Sequence, residues 1–198
     1  MRIIAGTARG THLLGVEGLK TRPVLDSVKE SLFNIIREIV PGSYVVDLFA
    51  GTGALGIEAL SRGAESCIFF DKDNHAIEVI EKNLQKAGLD DRACVLKLDV
   101  FKSCTYLVAN QIKLDLVLAG PPYEMVEQEE GRGHILSLFQ EMVENDILKP
   151  NGIIVLQHRV QHGQTSLSMP PHTGLEIFDQ RYYGETQLTF FQKKVSGT

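Results

Sequence analysis

Asp47 precedes Gly51 and Gly53 in the stretch VVDLFAGTGALGIEAL, which covers 45–60. Glycines at that spacing permit a tight turn and close backbone approach, and a helix opening after them exposes amide N–H groups that can hold an anionic group. Phe49 lies inside the turn and belongs to the same candidate cofactor site. Gly51 to Gly56 also reads GxGxxG, with Asp71 20 residues after Gly51, which keeps a dinucleotide dehydrogenase open. Asp47 weighs against that reading, because a carboxylate beside the loop repels a pyrophosphate and attracts an ammonium. S-adenosylmethionine carries an amino-acid ammonium and no phosphate, so it is the cofactor these residues point to. Asp71, in IFFDKD, suits two ribose hydroxyls, and Asp99, in LKLDV, suits an adenine amino group. A helix cap or a solvated loop acid is the competing role for each, and Asp73, Asn74 and Glu78 are read as caps of the next helix.

The second stretch is AGPPY, 119–123, after the apolar run 114–118. Two consecutive prolines drive the residue before each to extended backbone, which aims a carbonyl. An amine conjugated to a π-system is a poor nucleophile. Acceptors for its two hydrogens favour a pyramidal nitrogen and stabilise the positive charge that grows as a methyl group arrives. Pro121 can supply one carbonyl, Pro122 stiffens the turn, and Tyr123 offers a stacking face. In (D/N)PPY motifs the second acceptor comes from the position that is Gly120 here. Losing such a contact costs about 3 to 4 kcal/mol, roughly a hundred- to thousandfold in rate. Asp115 sits at the strand's far end, and Glu124 reaches the site only if the loop bends back. If the missing acceptor limits turnover, Gly120→Asp raises the rate by about tenfold or more. The bland alternative for PPY is an ordinary turn.

Positioning these loops requires alternating strands and helices. The pattern predicts strands at 44–48, 66–70, 93–98, 114–118 and 152–157, with helices at 54–62, 74–88, 101–110 and 133–145. A helix from Val24, with Val28, Leu32, Ile35, Ile36 and Ile39 on one face, ends at Pro41-Gly42. Short apolar strands alternating with helices imply an α/β fold, a mostly parallel sheet covered on both faces. The tail, 176–182 and 187–192, reads as an antiparallel hairpin, and the N-terminal runs 2–5 and 12–16 as a small β-hairpin or irregular ribbon. The stretch 158–173 reads as a surface loop, and 125–132 as a loop able to close over substrate.

At 198 residues with 43% apolar composition, one globular unit with a small extension is expected. The net charge is -5, yet residues 1–22 hold Arg2, Arg9, Lys20 and Arg22 against Glu17 alone. A basic arm on an acidic body is a nucleic-acid-binding pattern. Cys67, Cys94 and Cys104 form no CxxC pair and the histidines have no metal-like spacing, so neither a disulfide framework nor a metal site is expected. No export signal or membrane helix is expected either, and a reducing cytoplasm fits the cysteines.

The opening MRIIAGTARG, Thr21-Arg22-Pro23, Asp26 with KESLFN at 29–34, the block DLFAGTGALGIEALSRGA and Tyr183-Gly184-Glu185-Thr186 resemble one family. It is that of the bacterial 16S ribosomal RNA guanine-N2 methyltransferases of the D type, and the likeness runs over nearly the whole chain. The resemblance implies a Rossmann-like class I S-adenosylmethionine-dependent methyltransferase domain at 23–198, with a mostly parallel seven-stranded sheet. An RNA-binding extension at 1–22 would grip the RNA through Arg9, Lys20, Arg22 and Arg2. The implied reaction methylates one guanine N2 in the 16S RNA of the small subunit or its assembly intermediate, performed by a cytoplasmic monomer. The donor would lie against Asp47, Phe49, Gly51 and Gly53, its ribose on Asp71 and its adenine near Asp99. The guanine would lie at Gly120, Pro121, Pro122 and Tyr123. Gly120 departs from the family's acidic residue and Lys29 from a more usual Arg. Two alternatives stay open: a donor-binding, slow or inactive relative that acts as an RNA-binding or assembly factor, and a methyltransferase for adenine N6 or a protein amide.

Overall fold

The computed structural model describes residues 1–16, 26–160 and 174–194. Seven strands form one mixed sheet in the order β3-β2-β1-β4-β5-β7-β6. They are β1 (Tyr44–Leu48), β2 (Ser66–Asp71), β3 (Ala93–Lys97), β4 (Leu114–Ala119), β5 (Leu148–Arg159), β6 (Leu175–Tyr183) and β7 (Thr186–Lys193). The expected α/β architecture is present, mostly parallel with an antiparallel C-terminal pair. Chain contacts define two units, Met1–Val100 and Phe101–Thr198. The division expected at 22/23 falls outside the described residues.

In the first unit, β1, β2 and β3 are parallel, and α1 (Asp26–Ile35), α2 (Ala54–Ser61) and α3 (Asn74–Ala87) accompany them. Val45 to Leu48 are all buried, as a strand covered on both faces requires. Helix α3 starts at Asp73, whose side chain accepts from His75 N–H, and stops at Gly88 in the left-handed region. Asp73 is thus the cap; Asn74 is the first helical residue, and Glu78 instead pairs with Lys82 at 3.9 Å. Helix α1 is shorter than its apolar spacing predicts. Ile36 and Val40 continue into the core from a turn in which Ile39 N–H donates to Ile36 O.

The N-terminal pairing is a short antiparallel ribbon: Arg2 bridges His12, Ile3 N–H donates to Thr11 O at 3.0 Å, and Leu13 N–H donates to Met1 O at 3.1 Å. It goes no further along the chain. Ile4 and Ala5 instead donate to the Glu58 carboxylate at 2.8 and 3.0 Å, and Ala8 donates to Ser61 Oγ at 3.0 Å. A buried carboxylate on α2 takes the N–H groups that a second strand would have used.

In the second unit β4 pairs parallel with β5, and β5, β7 and β6 follow antiparallel. Its helices are α4 (Ser103–Ala109), α5 (Tyr123–Glu127) and α6 (Glu129–Glu144). The expected loop 125–132 is therefore largely helical, and the helix expected at 133 starts at Glu129. Gly131 permits this start, because a Cβ there would lie 2.2 Å from Met125 O. The core includes an edge-on contact of Phe139 with Phe191, centroids 5.6 Å apart. Among the described residues no helix is long and apolar enough to cross a membrane.

Candidate functional site

The loop after β1 turns through three left-handed residues, Phe49 (φ 58), Gly51 (φ 57) and Gly53 (φ 75). Only glycine adopts that region without cost, so Phe49 marks strain held by its surroundings. Ala50 N–H donates to Phe70 O at 3.1 Å and Gly53 N–H to Ala50 O at 2.7 Å. Asp71, at the end of β2, accepts Gly51 N–H at 2.8 Å on one oxygen and Asp73 N–H at 3.0 Å on the other. Asp47 accepts Gly56 N–H at 2.8 Å. The structure thus brings Asp47, Gly51, Gly53 and Asp71 together around one turn. Phe49 is part of it, while Asp99 is exposed in the turn after β3.

Asp47 is 2% exposed, so it acts as an internal strut rather than an open carboxylate. Burial pushes its pKa from 3.8 up to about 8, opposed by the Gly56 hydrogen bond and helped by the charge of Asp71. A Cβ on Gly51 would meet only Phe49 O, at 3.9 Å, so open space adjoins that backbone. On Gly56 a Cβ would fall 2.4 Å from Phe69 Cε1, which shows how closely α2 packs on β2.

Two buried polar residues that sequence reading passed over, Asn83 and Glu58, hold the N-terminal segment, and Asn83 also reaches this turn. Asn83 donates to Thr52 O at 2.9 Å and to Leu14 O at 3.2 Å, and accepts Leu14 N–H at 2.7 Å. Glu58 is fully buried between Lys29 Nζ at 3.1 Å and Arg62 Nε at 2.7 Å, and Lys29 also donates to Arg2 O. Lys29 is thus committed to the interior and contacts no phosphate from there. The available signal was a polar residue at a core position: Asn83 falls on the apolar stripe of α3 with Ala76, Val79, Ile80 and Leu84.

In the second unit Gly120 follows β4 with φ outside the left-handed region and nothing within 4 Å of a built Cβ. Pro121 is buried, Pro122 caps α5, and Tyr123 opens that helix half-buried, with Met125 N–H donating to Pro122 O at 3.0 Å. Neither nearby acid replaces the missing side chain. Asp115 pairs with Lys149 at 2.8 Å at the start of β4, and Glu124 points to solvent on α5.

Of the basic residues, Arg9 is exposed beside Gly10 (φ 86), and Arg2 is exposed with its guanidinium 3.4 Å from Asp26. Lys20 and Arg22 lie outside the described residues. Among the described residues no cluster of His, Cys, Asp and Glu is placed to hold a metal ion.

Residues 1–192 match a family model described as conserved hypothetical protein 95. The chain is 35% identical over 195 residues to the putative rRNA methyltransferase YlbH of Bacillus subtilis, covering 98% of this chain and 100% of that one. It is 38% identical over 163 residues to ribosomal RNA small subunit methyltransferase D of Haemophilus influenzae, covering 79% and 78%. Among solved structures, the putative methyltransferase yhhF of Escherichia coli superposes with a TM-score of 0.77 at 26% identity, covering 98% of each chain. The putative methylase HI0767 of Haemophilus influenzae does so with a TM-score of 0.70 at 30% identity, also covering 98% of each. With a class I methyltransferase fold and relatives of this kind, the chain belongs to the conserved hypothetical protein 95 family, that of the D-type small-subunit ribosomal RNA methyltransferases.

Proposed function

We propose that this protein methylates the exocyclic N2 of a guanine in 16S ribosomal RNA, using S-adenosylmethionine and acting as a cytoplasmic monomer on the small subunit or its assembly intermediate. The observation that carries the reading is the braced turn after β1, where Asp71 holds the Gly51 backbone beside open space. A bulky donor fits there for two reasons. A glycine backbone permits close approach, and the half-exposed Asp71 carboxylate keeps acceptor capacity for hydroxyls after its two N–H bonds. Asp47 lies behind the turn, and an arriving ammonium favours its ionised form against the cost of burial. Phe49 shapes the wall and Asp99 takes the adenine side. When bound, the donor supplies an electrophilic methyl group on a sulfonium.

The residues 120–123 handle the acceptor. Tyr123 stacks on the base, Pro121 turns its carbonyl to the amine, and Pro122 stiffens the approach. The amine lone pair would take the methyl group that the bound donor would supply, the electrons of the broken bond would stay with the donor, and the nitrogen would lose one proton to water. Arg2, Arg9, Lys20 and Arg22 bind phosphates, which position the RNA without reading its bases.

Gly120 favours a second reading, a donor-binding relative that assists assembly with slow or no transfer. Labelled methyl transfer to unmodified small subunits, with donor binding followed by calorimetry, separates them. The expected result is donor binding together with one methyl group on guanine N2. Donor binding without product supports the assembly factor, and no donor binding refutes both.

A further inference from the structure

Building on that reading, we propose that Gln157 is a catalytic residue: its side-chain oxygen accepts a hydrogen bond from the target amine in place of the side chain absent at Gly120, with Glu127 as a second acceptor on the same edge. Strands β4 and β5 are parallel with Ala119 opposite Leu156, so the next neighbours in register are Gly120 and Gln157. Gln157 is 6% exposed, and its Oε1 is buried with no hydrogen-bond partner. Buried polar atoms are nearly always paired, because an orphan costs about 1 to 3 kcal/mol. A donor that arrives with the substrate accounts for an acceptor kept open beside this loop.

The surrounding side chains fix the face. Arg159, two residues along β5, lies on the same side of the strand as Gln157. Its guanidinium is 3.0 Å from Glu185 and 3.9 Å from Glu127 Oε1, and it lies within electrostatic reach of Tyr123. Tyr123 and Glu127 are one turn apart on α5 and share its surface. Gln157, Arg159, Glu127 and Tyr123 therefore gather on one side of the carboxyl end of β4 and β5, where 120–122 leaves the sheet. Glu127 Oε1 is also buried without a hydrogen bond, since 3.9 Å is an ion pair too long to be one.

Guanine offers its N1 hydrogen and both N2 hydrogens along one edge. The Pro121 carbonyl, Gln157 Oε1 and Glu127 Oε1 offer an acceptor to each. Adenine presents a bare N1 lone pair beside its amine, which the Glu127 oxygen repels, so the same edge selects guanine. Gln157 is neutral and takes no proton. It stabilises the pyramidal, positively charged nitrogen by accepting a hydrogen bond until the proton passes to water.

Methyl transfer to unmodified small subunits at saturating donor tests this in the parent, Gln157→Leu, Gly120→Asp and the double variant, with Gln157→Met as a second apolar replacement. Removing an orphaned buried oxygen leaves thermal stability unchanged or raised, while kcat falls about a hundredfold and KM stays within about threefold. Gly120→Asp restores Gln157→Leu to within about tenfold of the parent, a rescue that a packing role does not give. The acceptor role is overturned, with the methyltransferase reading intact, by any of three results. They are near-parental kcat in both apolar variants, a loss that Gly120→Asp fails to restore, or a gain of about tenfold from Gly120→Asp alone. No transfer by either the parent or Gly120→Asp overturns both.

Discussion

Asp47 serves the β1 turn by accepting the Gly56 N–H, yet it is nearly enclosed. Desolvation raises its pKa from 3.8 to about 8; the Gly56 bond lowers it and the charge of Asp71 adds to the rise. The folded chain therefore holds a proton that the unfolded chain releases between roughly pH 4 and pH 8. Stability from this group is full below about pH 4 and is lost as pH climbs through that window to about 8. Asp47→Asn keeps an acceptor for Gly56 and removes the titration. Urea midpoints at pH 5 and pH 8 are expected to lie closer together in the variant than in the parent; an equal gap in both would show that Asp47 does not contribute this dependence.

At the scale of elements, α2 works at both ends. Its first turn receives Asp47 through Gly56, and its second half holds the N-terminal segment through Glu58 and Ser61. Glu58 is the node. Lys29 and Arg62 neutralise it, and Arg62 also lies over the Phe33 ring at 5.0 Å. Removing one partner of a buried ion pair leaves the other uncompensated, so Glu58→Gln is expected to cost about 3 to 5 kcal/mol in chemical denaturation. Faster hydrogen exchange at the Ile4 and Ala5 amides should accompany it, since both donate to that carboxylate. Unchanged exchange at those amides would mean that the segment is held by its apolar contacts at Ile3 and Leu13 instead.

Over the whole molecule a net charge of -5 opposes general attraction to RNA, so the RNA contact proposed above would rest on local basic groups. Arg2 is engaged with Asp26, whereas Arg9 is carried outward at the Gly10 turn. Arg9→Ala is expected to raise the KM for small subunits a few-fold at low salt and to reduce the salt slope of that KM by about one. Arg2→Ala should do less, and kcat should hold in both. A salt titration of KM makes the comparison, and an Arg9 variant with the parental slope would remove that residue from the RNA contact.

The strands and helices around the β1 turn were legible in the amino-acid order because their signals are local. Continuous apolar runs marked β1 and β2, and Asp73 and Gly88 bounded α3. The glycines and Asp71 were legible for the same reason, since turn conformations and strand-end acids depend on near neighbours. Side-chain partners were not. Asn83 meets Leu14 across 69 residues, and Lys29 meets Arg2 across 27. Tertiary structure alone decided that the N-terminal ribbon gives way at Ile4 and Ala5 to bonds with a helix, that Asp47 is enclosed, and that Gln157 stands in register beside Gly120. Burial and strand register are set by what packs against a residue, and those neighbours come from distant parts of the chain.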